Sequence, residues 1–128
     1  MKLRWDCTQR GCFNKLKRPK IEVFDDCLPG KIEFGDVDAI VEIKGRALVI
    51  EWKPAEMIGR GQEIMWHRLT RDKVLTAFVI VGDAETMEAN ARGRFFGGQW
   101  GGWKPSSLDE VKGAIRAWVS WAEQNRLV

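Results

Sequence analysis

The chain has 128 residues, 45% of them apolar, with seven Trp and six Phe; this is the length of one domain with apolar mass enough for a core, which excludes disordered, collagen-like and solenoid chains. Charged residues make up 30% of it, and no apolar run approaches the roughly 18 residues needed to cross a bilayer, so a membrane span is excluded. Residues 1–20 carry seven Lys/Arg against one acid, a net +6, whereas the remaining 108 residues hold fourteen basic and seventeen acidic side chains. A basic arm, residues 1–20, therefore precedes a slightly acidic body. That pattern suits either a phosphate-contacting segment or a solvated face. Met1-Lys2-Leu3-Arg4-Trp5-Asp6 lacks the apolar stretch of a secretion signal, and three Cys are few and odd for a disulfide scaffold. The expectation is a cytoplasmic protein with reduced thiols.

Arg18-Pro19 can open a helix that carries Ile21, Phe24 and Leu28 on one stripe until Pro29-Gly30 ends it, although Ile21-Glu22-Val23-Phe24 also fits a short strand. Residues 37–43 and 46–53 are β-rich and separated by Lys44-Gly45, which predicts a tight hairpin. Residues 62–70 place Met65, Trp66 and Leu69 on one helical face that should pack on a sheet. Residues 74–81 form an almost continuous apolar run, as in a strand buried on both faces. The Gly- and aromatic-rich stretch 92–104 fits no single element. Ser107-Leu108-Asp109-Glu110 predicts a capped helix over about 107–125, with Val111, Ile115, Trp118, Val119 and Ala122 on one side. The order helix, hairpin, helix, strand, helix predicts an α/β or α+β class, a mixed sheet flanked by helices in a single domain spanning 1–128.

A two-residue turn at Lys44-Gly45 pairs Ile43 with Arg46, so facing residues have numbers summing to 89. Asp38 then faces Glu51 and Asp36 faces Lys53. Period-2 alternation puts these four on one face and Val37, Ala39, Val41, Leu48, Ile50 and Trp52 on the other. Like charges directly opposite in an antiparallel pair destabilise it unless something neutralises them. A divalent cation does so, since two or three carboxylates with open positions for water and phosphate suit Mg²⁺ or Mn²⁺ and phosphoryl chemistry. Lys53 adds a positive charge for the attacking water or the developing charge on phosphorus. An ordinary amphipathic hairpin with its charged face in water accounts for the same pattern.

Gly35-Asp36-Val37-Asp38-Ala39-Ile40-Val41 followed by Ala47-Leu48-Val49-Ile50-Glu51-Trp52-Lys53 resembles the PD-(D/E)xK nuclease superfamily, particularly its Holliday-junction-resolvase-like and phage or VRR-type branches. The resemblance covers about residues 19–82. It implies a restriction-endonuclease-like core and a Mg²⁺- or Mn²⁺-dependent endonuclease acting on DNA, plausible substrates being branched or otherwise structured. Carried over by residue, Asp38 and Glu51 would bind metal, Lys53 would be the catalytic lysine, and Gln62 the helix glutamine that completes the site. Asp36 is a further metal-ligand candidate and Glu22 the candidate acid from the first helix. Trp52 stands where the family usually has an aliphatic residue. The basic run Lys15, Lys17, Arg18 and Lys20 would meet the DNA backbone. A different class remains open: a binding module or inhibitor that keeps such a fold without turnover.

Cys7, Cys12, Cys27 and His67 have the chemistry of a Cys₃His zinc site but not its paired spacing, so ordinary thiols are the better account. Trp100 and Trp103, flanked by Gly, Arg92, Arg94 and Lys104, fit stacking on unpaired bases and core packing equally well. A one-site nuclease that cuts both strands acts as a two-fold dimer, for which Trp118, Val119, Trp121 and Ala122 offer an apolar patch.

Overall fold

Lys44 and Gly45 both adopt positive φ, 51° and 92°, which is what a two-residue type I′ hairpin turn demands of its central residues. The turn joins β1, Ala39–Ile43, to β2, Arg46–Lys53. Ile43 lies opposite Arg46 and Ala39 opposite Ile50, so the register read from the sequence holds along the whole antiparallel ladder. From β2 the chain crosses through α1, Arg60–Leu69, and returns as β3, Leu75–Asp83, parallel to β2 with Glu51 beside Val79. Such a return needs a crossover, and α1 supplies it. Then β4, Glu88–Phe96, runs antiparallel to β3. Two short strands, β5 at Gln99–Trp100 and β6 at Lys104–Pro105, pair along the far edge of β4. The sheet order is β1-β2-β3-β4-β5, with β6 also on β4. The chain closes with α2, Leu108–Gln124.

The computed structural model describes residues 19–128, and the chain divides into two units, residues 1–36 and 37–128. The second holds the sheet and both helices, making the fold a mixed α+β one. Among the described residues no helix is long and apolar enough to cross a membrane. In the first unit, residues Ile21–Cys27 form a 3-10 helix with no buried residue. The expected amphipathic helix there is thus tighter and shorter, and Ile21 and Phe24 are exposed rather than packed.

Both faces of the sheet are covered. Val49, Ala77, Val79 and Phe95 pack with Trp66 of α1. On the other face Leu48 and Phe78 pack with Trp118 and Ala122 of α2, and Ile80 and Ala89 with Val111. The expectation of one apolar and one charged face is corrected here: the face of Glu51 and Lys53 is itself core along most of its length. β3 is buried on both faces, as its composition predicts. Three further expectations fail. Met65 and Leu69 are exposed, leaving Trp66 as the only buried residue of α1, where it packs on Val49, Ala77, Val79 and Phe95. Val37 lies before β1, and Val41 is exposed on this edge strand. Trp118 and Ala122 are core residues, with the Trp118 indole N–H donating to buried Thr76 Oγ1 at 3.0 Å, so they form no surface dimer patch.

The stretch 92–104 owes its shape to a substitution of ring for side chain. A methyl group at Gly93 would fall inside the indole of Trp100; the ring lies across β4 where a side chain is missing, tilted against Phe95 at 4.7 Å and edge-on to Trp103 at 4.9 Å.

Ser107 caps α2 as expected: its side chain accepts from Glu110 N–H at 3.2 Å, and Glu110 Oε1 accepts from Ser107 N–H at 3.1 Å. The hydrogen bonds from the Ser107 backbone and then its side chain hold the Glu110 carboxyl below the usual carboxylate range. Ser107→Ala should lower unfolding free energy by about 1 kcal/mol in urea titration. The Glu110 contribution is complete above the pH at which an unfolded-chain Glu titrates, and is lost as pH falls through the lowered folded value. Wild-type urea midpoints should therefore drop more steeply than those of Glu110→Gln over that acid window.

Candidate functional site

Glu51, Trp52 and Lys53 end β2, and alternation sends the middle residue to the opposite side from its neighbours. Trp52 turns toward the α2 face, packing near Ile80, Val111 and Leu108. Its indole N–H donates to Gly82 O at 3.0 Å. A Cβ at Gly82 would crowd both the Glu88 carbonyl and this indole, so glycine there makes room for the contact. The Trp52 backbone N–H is held as well. Ala47 N–H points to Val74 O on the β3 side, so two-residue alternation directs Trp52 N–H toward β1. The ladder has ended at Ala39, and Asp38 Oδ2 accepts that N–H at 2.6 Å in place of a backbone carbonyl. Trp52, unusual for the middle of an E-x-K tripeptide, is the anchor that fixes Glu51 and Lys53. Sequence reading missed this role, although Trp52 and Gly82 each carried a signal.

With Trp52 pinned, Glu51 and Lys53 face α1. Glu51 is buried, 6% exposed, next to Val79 in the register. Lys53 Nζ donates to Gln62 Oε1 at 2.7 Å. Gln62 sits in the first turn of α1, which Gly59 begins, so the loop after β2 brings the helix start over the strand end. Asp38, exposed, comes just before β1, whose ladder with β2 ends at Ala39↔Ile50, and is tied to β2 through the Trp52 N–H. Of the residues singled out in the sequence, the structure bonds Lys53 to Gln62 and holds Asp38 on the backbone N–H of Trp52, next to Glu51 in the chain.

Glu22, on the 3-10 helix, and Asp36 belong to the first unit, as does Lys20, the residue that precedes that helix. Lys15, Lys17 and Arg18 lie outside the described residues, as do Cys7 and Cys12. Cys27 is exposed. His67 Nδ1 is 2.8 Å from Gly98 O and its Nε2 is 3.6 Å from Glu63, so both ring nitrogens have neighbours within the second unit.

Among the described residues no three His, Cys, Asp or Glu side chains form a ready cage for a metal. The donor set nevertheless fits one class of ion. Two carboxylates, one buried and one at the surface, offer hard oxygens; Mg²⁺ or Mn²⁺ binds through one or two of these and completes its shell with water and phosphate oxygens. Soft or imidazole ligands are not part of the group. Chemically, the arrangement holds an ammonium in a fixed position beside a buried carboxylate.

The Asp38 bond makes a structural demand separable from any chemistry. Asp38→Ala leaves the Trp52 N–H without its side-chain acceptor and should cost about 1–3 kcal/mol in urea unfolding, whereas Asp38→Asn, which keeps an oxygen, should recover most of it. No protein-family model matches the chain, and no curated protein or solved structure matches it either.

Proposed function

We propose that the protein is a metal-dependent endonuclease that hydrolyses DNA phosphodiester bonds, with branched or otherwise structured DNA as its substrate and a homodimer as its working form. The observation that carries this reading is the Lys53–Gln62 hydrogen bond at 2.7 Å near buried Glu51, with Asp38 held on the Trp52 N–H between them. The Lys of E-x-K and the helix glutamine meet at the end of β2, which supports the combination the sequence resemblance implies.

Asp38 and Glu51 would hold Mg²⁺ or Mn²⁺, which when bound supplies Lewis acidity and neutralises charge at a phosphate. Lys53 carries the rest. Its ammonium, kept in place by Gln62 Oε1, has N–H groups left to donate to a phosphate oxygen or to an attacking water. A fixed positive charge close to phosphorus favours the transition state, in which negative charge grows on the non-bridging and leaving oxygens. In the hydrolysis a water oxygen forms the new bond to phosphorus and gives up a proton, the bond to the leaving sugar oxygen breaks, and that oxygen takes up a proton. Gln62 acts as a positioning residue by limiting where the long Lys53 side chain can go. Glu22 and Asp36 are the further acids this reading would recruit, and Lys15, Lys17, Arg18 and Lys20 the contacts to flanking phosphates.

The test is cleavage of a panel of junction, flap, single-stranded and duplex DNA. Activity should require Mg²⁺ or Mn²⁺ and vanish with EDTA. Glu51→Gln should reduce the rate at saturating DNA by about 10³-fold or more, and Lys53→Met by about 10²-fold or more with DNA affinity within about twofold of wild type. Undiminished cleavage by Glu51→Gln overturns the assignment. Light scattering should show a dimer at micromolar protein.

A further inference from the structure

On the opposite face of the sheet, a cleft of about 640 Å³ lies between α2 and the outer strands. In the β3–β4 ladder Arg94 is opposite Phe78, which packs against α2; Glu51 is beside Val79, which packs against α1. The cleft and the carboxylate site are therefore separated by the thickness of the sheet.

The chemistry of the cleft has a clear direction. Arg92, Arg94 and Lys104 line it together with Phe96, Trp103 and Trp121, and no Asp or Glu does. Among the described residues none of these three cations comes within 4.0 Å of a carboxylate oxygen. Glu110, the acid whose carboxyl feels Arg92 and Lys104, is engaged in capping α2. The walls are also preset. Arg92 Nη1 donates to Ser106 Oγ at 2.6 Å, the Arg94 guanidinium sits 5.1 Å above the Phe96 ring, and Phe96 meets Trp121 edge-on at 5.2 Å. Trp103 is half-buried, backed by Trp100, with no cation stacked on its ring among the described contacts.

A recess lined by three cations and aromatic rings, with Glu110 the one acid that feels two of them, matches a polyanion whose planar groups are unstacked. Duplex DNA presents its phosphates but keeps its bases stacked within the helix, so rings recessed between a helix and a strand serve it little. A single strand offers both groups at once: phosphate to the cations and base faces to the rings. We propose that this cleft binds an unpaired strand of DNA, with Arg94 and Lys104 on its phosphates and Trp103 stacked on a base. The proposal takes DNA as the ligand from the reading of the carboxylate site, and adds a second, non-catalytic contact on the far side of the sheet.

The experiment is fluorescence anisotropy with a labelled twelve-nucleotide dT oligomer and the matching dA·dT duplex, in EDTA so that no cleavage intervenes. The wild type should bind the oligomer more tightly than the duplex. Arg94→Gln combined with Lys104→Gln should weaken oligomer binding tenfold or more and reduce the slope of log K against log salt by about 1.4, from about 0.7 per cation lost on a single strand. Trp103→Leu should weaken binding about fivefold or more. Tighter binding of the duplex overturns the proposal, and so does wild-type affinity in the Arg94/Lys104 double variant. Both of those positions are exposed, so the double variant keeps the test decisive if Trp103→Leu fails to fold. The two readings fail differently: loss of the nuclease reading leaves oligomer binding without cleavage, whereas loss of the cleft leaves cleavage with oligomer binding indifferent to its residues.

Discussion

The second unit depends on the double coverage of β2. Because α1 lies on one face and α2 on the other, successive residues of this strand answer to different helices, and the strand cannot slide by one position without exchanging Leu48 for Val49 and Trp52 for Glu51. A one-residue slip would place a carboxylate among Ile80, Val111 and Leu108 and expose an indole toward α1. The cost of burying an uncompensated charge exceeds that of most single packing defects. Register is thereby fixed by chemistry as much as by the turn, and with register comes the location of every group at the strand end.

The hairpin was the most legible part of the sequence because local rules decide it: a two-residue turn with positive φ at both positions, and alternation on either side. The cap at Ser107 was legible for the same reason, being a contact between residues three apart. Long-range features were harder to see. β4 alternates Ala, Arg, Gly, Arg and Phe, and without knowing that Trp100 covers Gly93 the run looks like a loop rather than a strand. Residues 21–28 have helical spacing, but spacing alone cannot show whether a surface is available to bury Ile21 and Phe24, and these side chains remain exposed. At the candidate site the register of β1 and β2 followed from arithmetic on the turn, whereas Gln62 was named only through the resemblance and its bond to Lys53 is seen only in the fold. The Trp52 anchor was invisible because its partner, Gly82, lies in a strand whose neighbour only the fold reveals.

The sheet also sorts charge. Glu51, Lys53 and Gln62 lie on the α1 side, whereas Arg92 and Arg94 project on the α2 side from a strand two places away. α2 packs on Ala89 and Phe96 near the two ends of β4 but leaves Arg94 between them exposed, so this polar residue of β4 meets water while those at the end of β2 meet a helix start. A single alternating strand pattern thus yields two surfaces with different chemistry, one with fixed and partly buried groups, the other open and cationic.

Gly93 and Trp100 are a lock with one order of opening. The indole occupies the space that any side chain at position 93 would need, and its two aromatic neighbours hold it there. A lineage could enlarge position 93 only after position 100 had first become small, and the intermediate with both positions small would carry a void beside Phe95 at the centre of the α1-side core. Between two well-packed solutions lies one poorly packed step, so drift at either site is confined by the other. The sequence around them, rich in glycine and superficially permissive, is among the least free to change.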